Sequence, residues 1–257
     1  MTFNTDESLS LDWPEIVLKI RARTPARLIV GRAGSSYRTA TQLDLRAAHA
    51  NARDAVRAEL ELETQLGADF VSEWGLFEVC TQAESKDEFL LRPPLGRSFN
   101  EASRSQLLKR CTPKNELQIA IGDGLSVAAI SAQVPRLLPL LYEGAKARGW
   151  TIGRTFVIRH CRVGILNEIG ELLGPTVVIL LIGERPGLAT AESLSGYMAY
   201  CPLMAHTDAD RNLISNIHDR GVSPTAASDQ MLNLASQMMK VKASGLRLRK
   251  DLPTTEK

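Results

Sequence analysis

Residues 177–182 read Val-Val-Ile-Leu-Leu-Ile and break off into Gly183-Glu184-Arg185-Pro186-Gly187. Six consecutive apolar side chains give a strand no polar face to turn toward water. Such a strand has to be covered on both sides, as in the middle of a parallel sheet. The run is also far short of the ~20 residues that cross a bilayer. Residues 117–121 (Leu-Gln-Ile-Ala-Ile) and 155–158 (Thr-Phe-Val-Ile) repeat the theme as two further strands, each running into a polar, glycine-bearing loop. A helix opens between the first two at Leu125 or Ser126, restarts at Pro135, and turns Leu137, Leu138, Leu141 and Ala145 inward. Another helix covers residues 163–173.

Strands alternating with helices imply βαβ units. The expected class is therefore α/β: a Rossmann-like parallel-sheet domain over residues 109–257, preceded by a smaller, mainly helical domain over residues 1–108, of which 1–10 are polar and loose. Toward the C-terminus the pattern predicts a helix from about Thr190, a last strand at 214–217, and a helix from Ser223-Pro224 to about Ser244.

In the N-terminal part, Asp12-Trp13-Pro14 reads as a helix start with proline in the first turn. Ile16 and Ile20 mark its apolar side, and Thr24-Pro25 ends it, because the residue before proline avoids helical geometry. Thr39 can cap a second helix running to about Leu66, with Leu43, Ala47, Ala50 and Val56 on one side. Phe89-Leu90-Leu91 is predicted as a strand, and residues 92–97, with two prolines and a glycine, as a loop.

Charge narrows the function classes. With 31 basic and 29 acidic residues the net charge is +2, which lacks the dominant basic stripe of a nucleic-acid binder. The basic residues near the end (Lys240, Lys242, Arg247, Arg249 and Lys250) suit a last helical turn and its tail. Cys80, Cys111, Cys161 and Cys201 form no CxxC pair, so neither a zinc site nor a redox motif is expected, and a reducing cytosol suits them. The acidic first residues lack the apolar core of a signal peptide. The expectation is a cytoplasmic protein with no membrane partner and no nucleic-acid partner.

In an open α/β sheet, ligands bind beyond the C-terminal strand ends. Three loops fall there: 122–126 (Gly-Asp-Gly-Leu-Ser), 159–164 (Arg-His-Cys-Arg-Val-Gly) and 183–187 (Gly-Glu-Arg-Pro-Gly). Glycine serves ordinary turns as well, so one such loop says little; three at one edge say more. Gly122-x-Gly124 opens a helix after a strand, but Val127 stands where a dinucleotide fingerprint needs glycine or alanine, and no acidic residue ends a second strand about 20 positions on. There is no P-loop motif and no GxSxG elbow. The histidines have no spacing that pairs them with a nucleophile, and no His, Asp and Glu set has metal-ligand spacing. Residues 216–221 (Asn-Ile-His-Asp-Arg-Gly) approach a cobalamin-binding DxHxxG motif. However, Asn216 replaces the aspartate, and only 36 residues follow Gly221. A hydrogen-bonding role in a loop is expected for His218. From the residues alone a free-standing hydrolase or transferase using the His160 and Glu184 loops and a nucleotide- or corrinoid-binding module both stay open.

Several segments in order resemble one family. Residues 180–188 (Leu-Leu-Ile-Gly-Glu-Arg-Pro-Gly-Leu) with Glu192-Ser193-Leu194-Ser195, Arg27 with 31–34 (Gly-Arg-Ala-Gly), Asp123-Gly124-Leu125-Ser126, residues 165–171, 214–218 and 242–245 together resemble the small (light) subunit of ethanolamine ammonia-lyase. The resemblance runs from about residue 20 to 246. It implies a large-subunit partner, similar to a barrel, that holds substrate and catalytic residues. It also implies a Rossmann-type small subunit that covers part of adenosylcobalamin. Such a pair converts ethanolamine to acetaldehyde and ammonia by a radical route, in a hetero-oligomer of several large–small pairs.

The resemblance leaves this chain with no catalytic residue and no metal ligand, and puts cofactor contacts at Val163, Glu184 and Leu213. Glu184 can accept hydrogen bonds from corrin amides, and Val163 can pack on the macrocycle or its base. Some relatives carry cysteine at the third position, so Leu213 fits a backbone or packing contact. Ala48 departs from the family, in which an acidic residue often precedes the histidine equivalent to His49. Some relatives carry a longer N-terminal extension connected with a bacterial microcompartment, which is the alternative to plain cytoplasm.

Overall fold

A computed structural model of the chain describes residues 14–24 and 26–251, with side chains through residue 248. The loose segment expected at 1–10, Asp12 and Trp13 of the expected helix start, and Pro25 at its expected end lie outside the described residues. The chain divides into two compact units, Met1–Asn51 and Ala52–Lys257.

The first unit holds α1 (Glu15–Ala22), a two-residue ribbon of antiparallel β1 (Arg32–Ala33) and β2 (Ser36–Tyr37), and the start of α2 (Thr39–Arg57). The least exposed residues of α2 are Thr41, Leu45, Ala48, Ala52, Ala55 and Val56; of the expected stripe only Val56 is among them, and Leu43, Ala47 and Ala50 are exposed. α2 also stops at Arg57, well short of Leu66. The remainder of that segment forms a separate short helix, α3 (Leu62–Leu66), followed by α4 (Ala68–Glu73).

The second unit is built on a six-stranded mixed sheet. Its strands are β3 (Glu78–Cys80), β4 (Leu117–Gly122), β5 (Phe156–Arg159), β6 (Val177–Gly183), β7 (Leu194–Tyr200) and β8 (Asn212–Ile217), in spatial order β3-β5-β4-β6-β7-β8. The first four are parallel. Every residue of β4 and β6 is buried, as the apolar run requires.

After α3 and α4, the helices of this unit are, in chain order, α5 (Lys86–Leu91), α6 (Glu101–Arg110), α7 (Val127–Ala147), α8 (Ile165–Leu173), α9 (Pro224–Val241) and α10 (Leu246–Asp251). Alternation along the central strands sorts their side chains into two cores. Ile119 and Ile121 of β4 and Ile179 and Leu181 of β6 pack with Leu138 and Leu141 of α7 and Met231 and Met238 of α9. Ala120, Val178 and Leu180 face the other way, toward Leu107 of α6 and Ile165 and Ile169 of α8. The sheet is thus the middle of three layers. From β4 the chain crosses by α7 to β5 on one side, then by α8 to β6 on the other, so the direction of winding switches at β4.

Three elements differ from the sequence expectation. The sheet is mixed, not purely parallel, because β7 and β8 run antiparallel. The helix expected from Thr190 is absent there: only residues 184–193 separate β6 from β7, too few for the crossover a parallel neighbour needs, so the chain doubles back. The strand expected at 89–91 is the end of α5. The hydroxyl of Ser85 accepts the Glu88 amide (3.2 Å), and the Glu88 carboxylate accepts the Glu84 amide (3.0 Å). Helix α7 runs without a break through Pro135 and Pro139. Each proline removes one backbone bond, but the buried face from Val134 to Ala145 holds the helix in register on both sides of them.

Candidate functional site

The loops after β4, β5 and β6 meet at the switch end of the sheet, and their contact depends on two glycines. Gly124 has φ +56°, and a Cβ there would lie 2.3 Å from the Gly183 carbonyl; a Cβ on Gly183 would lie 2.1 Å from the Ser126 carbonyl. With no side chain at either position, the Leu125 amide donates to the Gly183 carbonyl at 3.1 Å.

Asp123 fixes the middle loop. It is fully buried, and its Oδ1 accepts the Cys161 amide (2.7 Å) while Oδ2 accepts the His160 amide (2.9 Å) and faces Lys86 Nζ at 3.5 Å. These bonds hold His160 at φ +58°. The His160 ring is occupied elsewhere, with Nδ1 3.0 Å from the Ala83 carbonyl and Nε2 3.2 Å from Glu59 Oε2. Burial, and then Asp123, push the Cys161 thiol well above its ordinary value, which keeps it protonated and un-nucleophilic.

Glu184 joins the ends of the last three strands. Its Oε1 accepts the Ser195 hydroxyl (2.6 Å) and the Asn216 amide (2.8 Å), and its Oε2 accepts the Ser193 hydroxyl (2.7 Å). Asn216 sits at φ +61°, a conformation that asparagine tolerates better than most residues. His218 Nε2 lies 2.7 Å from the Asn216 side-chain oxygen, and its Nδ1 accepts the Arg220 amide at 3.2 Å, the loop role the sequence suggested.

These loops enclose an open cavity of about 340 Å³. Val163, Glu184 and Leu213, the three residues singled out from the sequence, all line it. Leu125 and Ile182 extend its apolar wall; Arg162 and Arg185 bring positive charge. None of the four histidines lines it. Leu213 stands on the edge strand β8 and is 44% exposed, so its side chain offers packing surface.

Ser195 and Tyr197 of β7 and Ser215 of β8 complete the wall. Sequence reasoning missed Ser195 and Tyr197 as site residues because it placed a helix where β7 lies; Ser215 fell on an expected strand but nothing in its pattern marked it as a site residue. The available signal was alternation: Leu194 and Met198 belong to the α7–α9 core, whereas Tyr197 packs toward α8. Burial, then the Glu184 charge, raise the Tyr197 hydroxyl above its ordinary value. Among the described residues, no group of three or more His, Cys, Asp or Glu could hold a metal ion, and no helix is long and apolar enough to cross a membrane.

The family model "Ethanolamine ammonia-lyase light chain (EutC)" matches residues 14–249. The chain is 41% identical over 235 residues to the ethanolamine ammonia-lyase small subunit of Clostridium perfringens, covering 91% of this chain and 78% of that protein. Identity and coverage are the same for the small subunit of Clostridioides difficile. The small subunit of Listeria monocytogenes is 41% identical over 232 residues, covering 90% of this chain and 77% of its own.

Proposed function

Because the chain belongs to the ethanolamine ammonia-lyase light-chain family, we propose that it is the small subunit of that lyase and helps hold adenosylcobalamin against a large-subunit partner. The observation that carries the reading is the convergence of Val163, Glu184 and Leu213 on one cavity at the switch end of the sheet. In this reading the segment from residue 109 onward is the Rossmann-like, cobalamin-contacting part of the chain, and residues 1–108 are a mainly helical lead-in that lends the sheet one strand.

The cavity's chemistry fits part of such a cofactor. Val163, Ile182 and Leu213 offer apolar contact to a ring system, while Glu184 and Ser215 offer acceptors for the amides that fringe a corrin. A volume of about 340 Å³ is too small for a whole cobalamin, so this chain covers one portion and the partner takes the rest. When bound, the cofactor supplies the homolytic chemistry by which ethanolamine becomes acetaldehyde and ammonia. This chain's residues bind and orient. Glu184, immobilised by three hydrogen bonds, presents a fixed carboxylate, and Asp123 holds the loop that carries Val163.

The free-standing hydrolase or transferase reading loses its base, since the His160 ring is engaged by Ala83 and Glu59 outside the cavity. The proposed place of work is the cytoplasm, free or inside a microcompartment. Reconstitution tests the proposal: this chain, a large subunit from the same source and adenosylcobalamin are mixed with ethanolamine, each component being omitted in turn. Acetaldehyde is expected only from the complete mixture. Full activity without this chain would overturn the reading.

A further inference from the structure

A second cleft of about 320 Å³ lies beside the cavity. The two share the post-β5 loop, since Val163 lines the first and Gly164 the second. Arg162 and Arg185 line the first; Arg97 and Arg211 line the second. Arg97 lies along the shared loop, and a Cβ on Gly164 would be 2.9 Å from its Cγ.

These four guanidiniums are poorly neutralised. Among the described residues, neither Arg97 nor Arg185 has a carboxylate partner, and both are exposed. Arg162 donates only to the Phe89 carbonyl (3.2 Å), with its guanidinium 4.1 Å over the Phe89 ring and its buried Nε without a partner. Arg211, whose side chain is 7% exposed, pairs with Asp208, donates to Asn167 Oδ1 at 3.0 Å, and also leaves a buried Nε without a partner.

The nearby carboxylates are committed: Asp123 to two amides and Lys86, Glu184 to two hydroxyls and an amide, Asp208 to Arg211. Burial, followed by Arg185, holds Arg162 below the usual guanidinium value. Burial also lowers Arg211, and Arg97 adds to that effect. A chain of net charge +2 thus concentrates unbalanced cations around one loop. Guanidinium suits a tetrahedral oxyanion because its planar fork matches phosphate geometry.

We propose that Arg97, Arg162, Arg185 and Arg211 form a phosphate-class oxyanion site, with Arg97 and Arg185 as its uncommitted donors. Resting on the cofactor reading above, the oxyanion is the phosphodiester of the cobalamin nucleotide tail, the one anionic group on that molecule's periphery.

The test titrates the assembled large–small pair with cyanocobalamin, which carries the phosphodiester, and with dicyanocobinamide, which lacks it. The wild-type pair is compared with one carrying R97Q and R185Q, both exposed positions. The double variant is expected to weaken cyanocobalamin by about tenfold or more, as loss of a charge-assisted bond implies, and to leave cobinamide binding unchanged. Equal loss on both corrinoids, or no loss on either, would overturn the proposal. So would weaker association of the two subunits without corrinoid in sedimentation velocity, which would make the arginines a dock for an acidic protein surface. If the wild-type pair bound neither corrinoid, the cofactor reading itself would fail. The oxyanion site would then be judged by titrating the full chain with inorganic phosphate while following arginine side-chain NMR signals. Shifts present in wild type and lost in the double variant would retain it with a free phosphate as occupant; their absence would reject it.

Discussion

Replacing Glu184 by alanine removes the acceptor of two buried hydroxyls, on Ser193 and Ser195, and of the Asn216 amide. Each buried group left unpaired costs on the order of 1–3 kcal/mol. Glu184→Ala is therefore expected to lower unfolding stability by about 2–3 kcal/mol in a urea titration, in addition to any loss of cofactor affinity. Glu184→Gln keeps one acceptor oxygen and is expected to cost less. Asp123→Asn leaves Lys86, only 6% exposed, without its buried counter-charge and is expected to cost about 3 kcal/mol in the same measurement.

Asp210 gives the pH dependence. The Thr207 amide first, and Arg247 second, hold its carboxyl down at about 2. A depressed carboxylate stabilises the fold fully above its unfolded value of about 3.9 and loses that contribution as pH falls through about 2. Wild-type and Asp210→Asn chains are expected to differ in stability at pH 7 and to converge toward pH 2. At this scale, the apolar strands made the loops that carry Val163 and Glu184 legible, but Val163, Glu184 and Leu213 as candidate cofactor contacts all came from family resemblance. The role of Asp123 was hidden, because its three partners come from the loop after β5 and from α5, distant in sequence.

Among the elements, the close approach of the β4 and β6 loops leaves no room for a side chain at either glycine. Gly183→Ala sets a methyl 2.1 Å from the Ser126 carbonyl, a backbone atom that cannot swing aside. A loss of about 1–3 kcal/mol is expected in thermal or urea unfolding, with distortion of the cavity floor. β6 was readable because continuous burial demands continuous apolarity, and β4 because it departs from that pattern only at Gln118, whose buried side-chain amide donates to the Ile119 and Arg154 carbonyls. β7 was not: its Leu-Ser-Gly-Tyr-Met-Ala-Tyr mixes small and polar residues, and its antiparallel direction follows from the length of the preceding connection more than from its own composition. The Ser85 cap was present in the sequence, and the apolar Phe-Leu-Leu that follows it drew the strand reading instead.

For the molecule as a whole, the Met1–Asn51 unit has one buried residue among those described, Ala48. Ile16, Leu18, Ile20, Leu28, Ile29 and Leu43 are exposed. A segment with so little apolar burial has little local stability. In the isolated chain, limited proteolysis is expected to cut this unit before the sheet-bearing one. Protection on adding the large subunit would show that the partner covers it. The need for a partner was legible only through resemblance; in the proposed reading the cofactor cavity is shared between two chains, and neither then carries a complete ligand set.

The central claim is that this chain supplies part of a shared cofactor site. Equilibrium dialysis of adenosylcobalamin in the dark tests it most directly, with this chain, the large subunit and their mixture in separate cells. Strong retention by the mixture and much weaker retention by each chain alone is the expected result. Retention by the large subunit alone equal to that of the mixture would contradict it.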